Sequence, residues 1–397
     1  MAPASAARWP AVWAIFIGGL VAGAYIGKVP PALPALRSEF GLGLVESGFI
    51  ATMFNVIGGL AGMFAGVLGD RFGPKRLSLA GLAVMTGGGL LGAAARGFDA
   101  LLVARFIEGA GFILFTVSGA ALMSAAAPAP RERAQALSLW SAYMPAGGSI
   151  ALLLAPYAIG AWGWRGLWIA LALAAAAAFV LVAIYAPAPR SGGVRSLRLV
   201  LESLAQKGSL ALALLFAFYV AQWTSVMIWL PTFLVDERGA SDAVASTLTA
   251  LMVLVNVPGN LGGGWLLARG VRRGPLVVAG CAVMALCSIC MLGSWLPDAL
   301  RFLLVLVFSM SAGVIPASIF SGVPVHAKSA QHIATTNGMV MQTSQAGQFF
   351  GPLVLAWLAA HFGGWGASLW AMLAFAACGA ACGLTLGAIE KRRAAQS

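Results

Sequence analysis

Charge is what this chain has least of. Of its 397 residues 9% are charged and 60% hydrophobic, where a soluble domain carries about 25% charged residues. That shortage excludes a soluble domain of ordinary composition. Chemistry-bearing residues are scarce too, with 3 histidines and 5 cysteines. Cys281, Cys287, Cys290, Cys378 and Cys382 all fall in apolar runs, and their odd number offers no disulfide framework. His326 and His332 lie in the loop "PVHAKSAQHIA" with no Cys or carboxylate close by in sequence to complete a metal site. No phosphate-cradling loop, serine elbow or zinc-protease helix occurs. The expectation is a protein that is not an enzyme and holds no cofactor and no metal. With no site for ATP hydrolysis, any uphill work must draw on an ion gradient.

What the chain has in abundance is apolar length. Runs of about 20 residues, enough to cross roughly 30 Å of hydrocarbon as helix, recur from end to end. They predict an all-α membrane protein with twelve spans, near 10–36, 44–68, 77–95, 100–127, 136–159, 165–187, 209–235, 243–268, 275–296, 299–322, 335–360 and 364–389. Of the 24 Lys and Arg, Arg37, Arg96, Arg165, Arg238 and Arg301 sit in or beside one set of alternate breaks, and Lys28 and Arg105 lie within spans. The rest gather in the other set, with both termini. Positive residues stay inside, so both termini are expected in the cytoplasm of a multi-pass membrane protein. The net charge of +12 is then topological, and no nucleic-acid partner is expected.

The longest polar break, "APRSGGVRSLRLVLESLAQKGS", carries Arg190, Arg195, Arg198 and Lys207 and divides the chain nearly in half. Across it "AWGWRGLWIA" echoes "GGWGASLWAM", and "GLAGMFAGVLGDRFGPKR" echoes "GNLGGGWLLARGVRRGP", both near an offset of about 200 residues. The organisation expected is a bundle of six helices in 1–187, a cytoplasmic linker in 188–208 and a second bundle in 209–397, related as parallel repeats.

Between spans two and three, "GVLGDRFGPKR" concentrates charge in a chain that otherwise avoids it. Gly69 and Gly73 allow a tight turn, and Pro74 can open the next helix, where its missing N–H costs nothing. This loop, with the twelve spans, the basic linker and the repeat, resembles the major facilitator superfamily over the whole chain. The resemblance implies secondary transport by alternating access, with Asp70, Arg71 and Arg76 gating the cytoplasmic side. A solvated basic loop that only orients the protein is the other reading. The echo in the second half has Arg269, Arg272 and Arg273 but no acid.

Charges inside the spans point to a site, because an ionised side chain at mid-bilayer costs roughly 2.5 to 3.5 kcal/mol on the insertion scale. Lys28, Arg105 and Glu108 are the three recognised. Arg105 and Glu108, in "RFIEGAGF", share a face of span four at i, i+3. This stretch resembles the superfamily's span-four motif, whose arginine serves proton coupling in some antiporter branches, with Glu108 where Gln is common. The pair could equally be a self-neutralising structural one. Lys28, just before Pro30 and Pro31, either snorkels to the outer interface or faces a cavity. In the second case the three charges sum to plus one and favour a small anion.

Tyr143, Tyr219, Gln222, Trp223, Asn256, Gln342 and Gln345 add polar groups within spans, for substrate contact or for interhelical hydrogen bonds. The expected partners are therefore a small, anionic solute, a proton or other coupling ion carried by Glu108, and the lipid bilayer. Segments such as "VPPALPALRSEFGLGLVESG" resemble bacterial small-anion branches like the cyanate-transporter group, which implies the bacterial inner membrane, and a monomer is expected. Proton-coupled efflux of amphipathic drugs is the competing function. A receptor or lipid-moving protein is the competing class.

Overall fold

A computed structural model describes residues 7–62, 72–188, 202–293, 295–329 and 332–395. Among them the chain is helical throughout, with no β-strand. Among the described residues ten helices are long and apolar enough to cross a membrane; dividing one of them at Gly163 and adding the helix Ile333–His361 gives twelve spans. Span one is Trp9–Phe40, span two Leu44–Gly62, span three Pro74–Ala93 and span four Phe98–Ala126. Spans five and six lie in the single segment Tyr143–Tyr185, which Gly163 interrupts with φ +69°. Spans seven to ten are Lys207–Arg238, Asp242–Ala268, Arg273–Leu292 and Asp298–His326; spans eleven and twelve are Ile333–His361 and Ser368–Ala394.

Several local expectations meet their cause here. Pro74 does open span three, directly after Gly73 in the left-handed region at φ +84°. Span one divides at Lys28 into Trp9–Gly27 and Val29–Phe40, with Pro30 and Pro31 in the first turn of the second piece, where they remove no needed donor. Two expectations are corrected. No loop separates spans five and six, because one glycine at positive φ turns the chain without it. His326 belongs to the last turn of span ten rather than to a loop, since the helix runs four residues past the expected end at 322. Asp70, Arg71, Arg190, Arg195 and Arg198 lie outside the described residues.

Two compact units emerge. The first holds Met1–Leu42, Phe49–Val194 and Leu234–Ala250; the second holds Gly43–Gly48, Arg195–Phe233 and Leu251–Ser397. The first unit centres on apolar side chains from spans one, three, four and six, among them Ile15, Leu82, Phe115 and Val182. Aromatic area supplies much of the packing, as where Phe54 meets Phe112 at 4.9 Å between ring centroids.

Glycine lets backbones touch, and it does so in the same pattern in both units. In the first, a Cβ on Gly147 of span five would lie 2.1 Å from the Leu20 carbonyl of span one, and one on Gly109 of span four 2.0 Å from the Phe54 carbonyl of span two. In the second, a Cβ on Gly347 of span eleven would lie 2.2 Å from the Ala217 carbonyl of span seven, and one on Gly313 of span ten 2.3 Å from the Asn256 carbonyl of span eight. Spans one and five thus pack like seven and eleven, and two and four like eight and ten. In lipid, close van der Waals approach of this kind replaces the hydrophobic drive that assembles soluble helices.

Candidate functional site

The three charged residues expected within spans come together in the first unit. Glu108 accepts from both cations: Lys28 Nζ lies 2.7 Å from Oε1, and Arg105 Nη1 pairs with Oε2. Lys28 and Glu108 are 0% exposed and Arg105 1%, which overturns the snorkelling alternative for Lys28. Around them the helices supply the rest of the coordination. Arg105 Nε donates to the Ile50 carbonyl at 3.2 Å and Nη1 to the Tyr25 carbonyl at 3.2 Å. Span two tightens into a 3-10 turn at Met53–Asn55, just beyond Ile50, and the Phe54 ring lies 4.6 Å from the Arg105 guanidinium carbon.

Lys28 sits in an aromatic cage. Its ammonium is 4.1 Å from the Tyr25 ring centroid and 4.2 Å from that of Trp168 on span six, a geometry that offsets part of the cost of taking a cation out of water. Tyr25 is held in turn by its hydroxyl, which donates to the Met85 carbonyl at 3.0 Å. The floor of the cage is glycine. A Cβ on Gly88 would lie 2.9 Å from Glu108 Cγ, one on Gly89 2.8 Å from the Tyr25 hydroxyl, and one on Gly92 2.6 Å from Trp168 Cδ1. The run "MTGGGLLG" was the overlooked sequence signal: it leaves span three without side chains where the triad needs room. Two cations on one carboxylate leave this buried cluster one positive charge in excess, with no second acid among the fully buried described residues.

In the second unit the expected polar residues form separate groups. Trp223 Nε1 donates to Ser309 Oγ at 2.9 Å, and Asn256 Nδ2 donates to the Ser309 carbonyl at 2.9 Å and lies 3.5 Å from the Tyr219 hydroxyl. The Tyr219 ring stacks on Phe216 at 5.8 Å. Gln222 spends its amide on Ser288 Oγ at 3.4 Å and the Met372 carbonyl at 3.1 Å. Gln345 accepts from Gln348 Nε2 at 3.1 Å, and Gln342 is half-buried. In the first unit Tyr143 lies against Trp140, 4.4 Å between centroids, and Arg76 is exposed at the start of span three.

Two further corrections concern charge. Arg273 and Arg301 are also buried, at 8% and 6% exposure: Arg273 opens a helix that starts two residues before the expected 275, and Arg301 sits in the first turn of span ten, inside the expected bounds. The histidines do meet carboxylates, brought from distant sequence. His326 Nε2 is 2.9 Å from Glu390, which also pairs with Arg273, and His332 Nε2 is 3.2 Å from Glu202. No group of three metal-ligating residues gathers among the described residues.

An all-helical chain of long apolar spans with charged and polar side chains turned inward is built as a multi-pass membrane protein. Solved transporters share the fold. A bacterial homolog of the human lysosomal transporter Spinster, inward-facing and occupied, superposes with a TM-score of 0.76 at 16% identity, covering 96% of this chain and 95% of that one. The D-xylose–proton symporter gives 0.72 at 17% identity, covering 95% and 97%. The sequence model of the Major Facilitator Superfamily matches residues 15–352, and the chain belongs to that family.

Among curated relatives, the putative niacin/nicotinamide transporter NiaP of Bacillus subtilis is 26% identical over 359 residues, 85% of each chain. The multidrug transporter mfsC of Aspergillus fumigatus is 30% identical over 141 residues, 35% of this chain and 27% of that one. The match to the multidrug resistance protein Stp of Mycobacterium tuberculosis likewise spans 25% of that protein's length.

Proposed function

We propose that this transporter carries a small organic monoanion together with a proton, by alternating access of the bundles 1–187 and 209–397 about the linker 188–208. The observation that carries the reading is the uncompensated charge of the Lys28–Glu108–Arg105 cluster. A cation left over in a low-dielectric setting is costly, and a bound anion removes that cost. Glu108 is the proton carrier in this scheme. Protonating it frees Lys28 and Arg105 from their shared partner, so proton and anion favour each other's entry and the two move in the same direction. Tyr143, Tyr219, Trp223, Asn256 and the span-eleven glutamines complete the solute contacts, and Asp70, Arg71 and Arg76 gate the cytoplasmic side. The protein works as a monomer in a bacterial inner membrane with both termini in the cytoplasm.

Niacin and nicotinamide, named for the Bacillus relative, make a matched test, since one is an anion at neutral pH and the other its uncharged near-isostere. In thermal unfolding of the purified chain, nicotinate at about a hundred times its Kd should stabilise by roughly 2.7 kcal/mol, and nicotinamide by far less. Proteoliposomes should take up nicotinate faster when the outside is acidic. Equal stabilisation by both compounds, or by xylose, would remove the charge argument. A second reading rests on the Phe216–Tyr219 stack, which suits flat amphipathic solutes. It expects drug resistance in cells that Glu108→Gln abolishes.

A further inference from the structure

We infer that Ser309 is a positioning residue for solute recognition, setting the Trp223 ring through its hydroxyl and the Asn256 amide through its carbonyl. The inference rests on the reading that Trp223 and Asn256 touch the solute. Ser309 is fully buried on span ten and holds groups from two other helices. Its hydroxyl proton is committed to the Met252 carbonyl of span eight, 2.6 Å away. That leaves the oxygen's lone pairs to accept from the Trp223 indole N–H at 2.9 Å. The Ser309 carbonyl independently accepts from Asn256 at 2.9 Å.

The anchor itself cannot slide. A Cβ on Gly259 would lie 1.8 Å from the Met310 carbonyl, so spans eight and ten are in backbone contact at the residue next to Ser309, and again at Gly313. The first unit uses the corresponding seam between spans two and four in a similar way, with Arg105 of span four donating to the Ile50 carbonyl. There the anchoring group is charged and here it is neutral. Charge selection therefore belongs to the first unit, and Ser309 tunes shape selection in the second. Without the hydroxyl, the buried indole N–H has no acceptor, and the ring turns to find one.

Ser309→Ala should weaken nicotinate binding by about tenfold, the loss of one hydrogen bond's worth of orientation. It should leave the preference for nicotinate over nicotinamide unchanged. Ser309→Thr, which keeps the hydroxyl, should restore affinity. Because the effect passes through the indole, Ser309→Ala in a Trp223→Phe background should cost nothing further, whereas Asn256→Ala should still add its own loss.

A solute-independent arm uses the full chain labelled with 5-fluorotryptophan. The Trp223 fluorine resonance, assigned by its loss in Trp223→Phe, should move in Ser309→Ala and return in Ser309→Thr. An unmoved resonance, or an equal binding loss in both backgrounds, overturns the assignment. If the wild-type chain binds neither nicotinate nor formate, the anion reading fails while the fluorine arm still decides whether Ser309 sets the ring. Should the alanine variant not be monodisperse, Ser309→Cys, with its weaker acceptor, is read in the same way.

Discussion

The buried triad makes an asymmetric prediction about its own members. Glu108 is shared, Lys28 Nζ at 2.7 Å on one oxygen and Arg105 on the other, so the three residues are not equivalent. Glu108→Gln keeps the shape but leaves two cations with no counter-charge in a site 0% exposed at Lys28. Breaking a buried pair in this way costs about 3 to 5 kcal/mol. At roughly 2 to 4 °C per kcal/mol for a unit of this size, the unfolding midpoint should fall by about 6 to 20 °C. Lys28→Met is the opposite case. It deletes the surplus cation, leaves Arg105 and Glu108 as a neutral pair and fills the cage between Tyr25 and Trp168 with an adaptable side chain. Its stability should stay within about 1 kcal/mol of the parent, while nicotinate binding is lost. Combining the two changes should recover part of the loss, because only Arg105 is then unpaired and it keeps the Ile50 and Tyr25 carbonyls. The assay is thermal unfolding of purified protein in detergent, with monodispersity checked by size exclusion. If Lys28→Met destabilises as much as Glu108→Gln, the second cation is needed to hold the fold and its charge is no reserve for a solute.

Much of the architecture was legible because the bilayer simplifies the physics. Spans must be helices of nearly fixed length, so hydropathy alone marks them, and Pro74 and Gly73 mark a helix start through conformational constraints that act locally. The failures came where one residue replaced a loop. Spans five and six are joined through Gly163, and nothing in "AWGWRG" distinguishes a glycine that turns the chain from one that merely packs. The repeat, faint in residue identity, is plain in the glycine contacts, since what both halves retain is backbone approach rather than side-chain chemistry.

The site was legible in proportion to sequence separation. Arg105 and Glu108 are three residues apart, and helix geometry alone puts them on one face. Lys28 joins them across 80 positions, so its two readings stayed open until the helices were packed. The same limit hid Glu390 from His326 and Glu202 from His332. Ser309 and Trp168 were missed for another reason: a serine or tryptophan within an apolar run is common in membrane helices, and only its partners reveal a task. The glycines of span three were missed because their role is to leave space, and an empty place has no chemistry of its own to read.

The remaining predictions concern contacts outside the ion pairs of the triad. Glu390→Gln should destabilise by about 1 to 2 kcal/mol, because Arg273 keeps the Ser318 carbonyl at 2.8 Å but loses its carboxylate partner, and thermal unfolding with and without Glu390→Asp measures it. The run Gly87, Gly88 and Gly89 offers a sharper comparison, since alanine adds the same methyl at each. Gly87 is exposed, with nothing within 4 Å of its added Cβ, so Gly87→Ala should be neutral or stabilise by up to about 1 kcal/mol through helix propensity. Gly88 is buried, and its Cβ would meet both Glu108 Cγ and the Glu108 backbone nitrogen at 2.9 Å. The side chain could yield alone, but the backbone contact forces spans three and four apart, which draws the carboxylate away from Lys28 on span one. Gly88→Ala should therefore lower the unfolding midpoint and weaken nicotinate binding together. If it lowers stability and leaves anion affinity intact, span three supports the bundle without setting the geometry of the charged cluster.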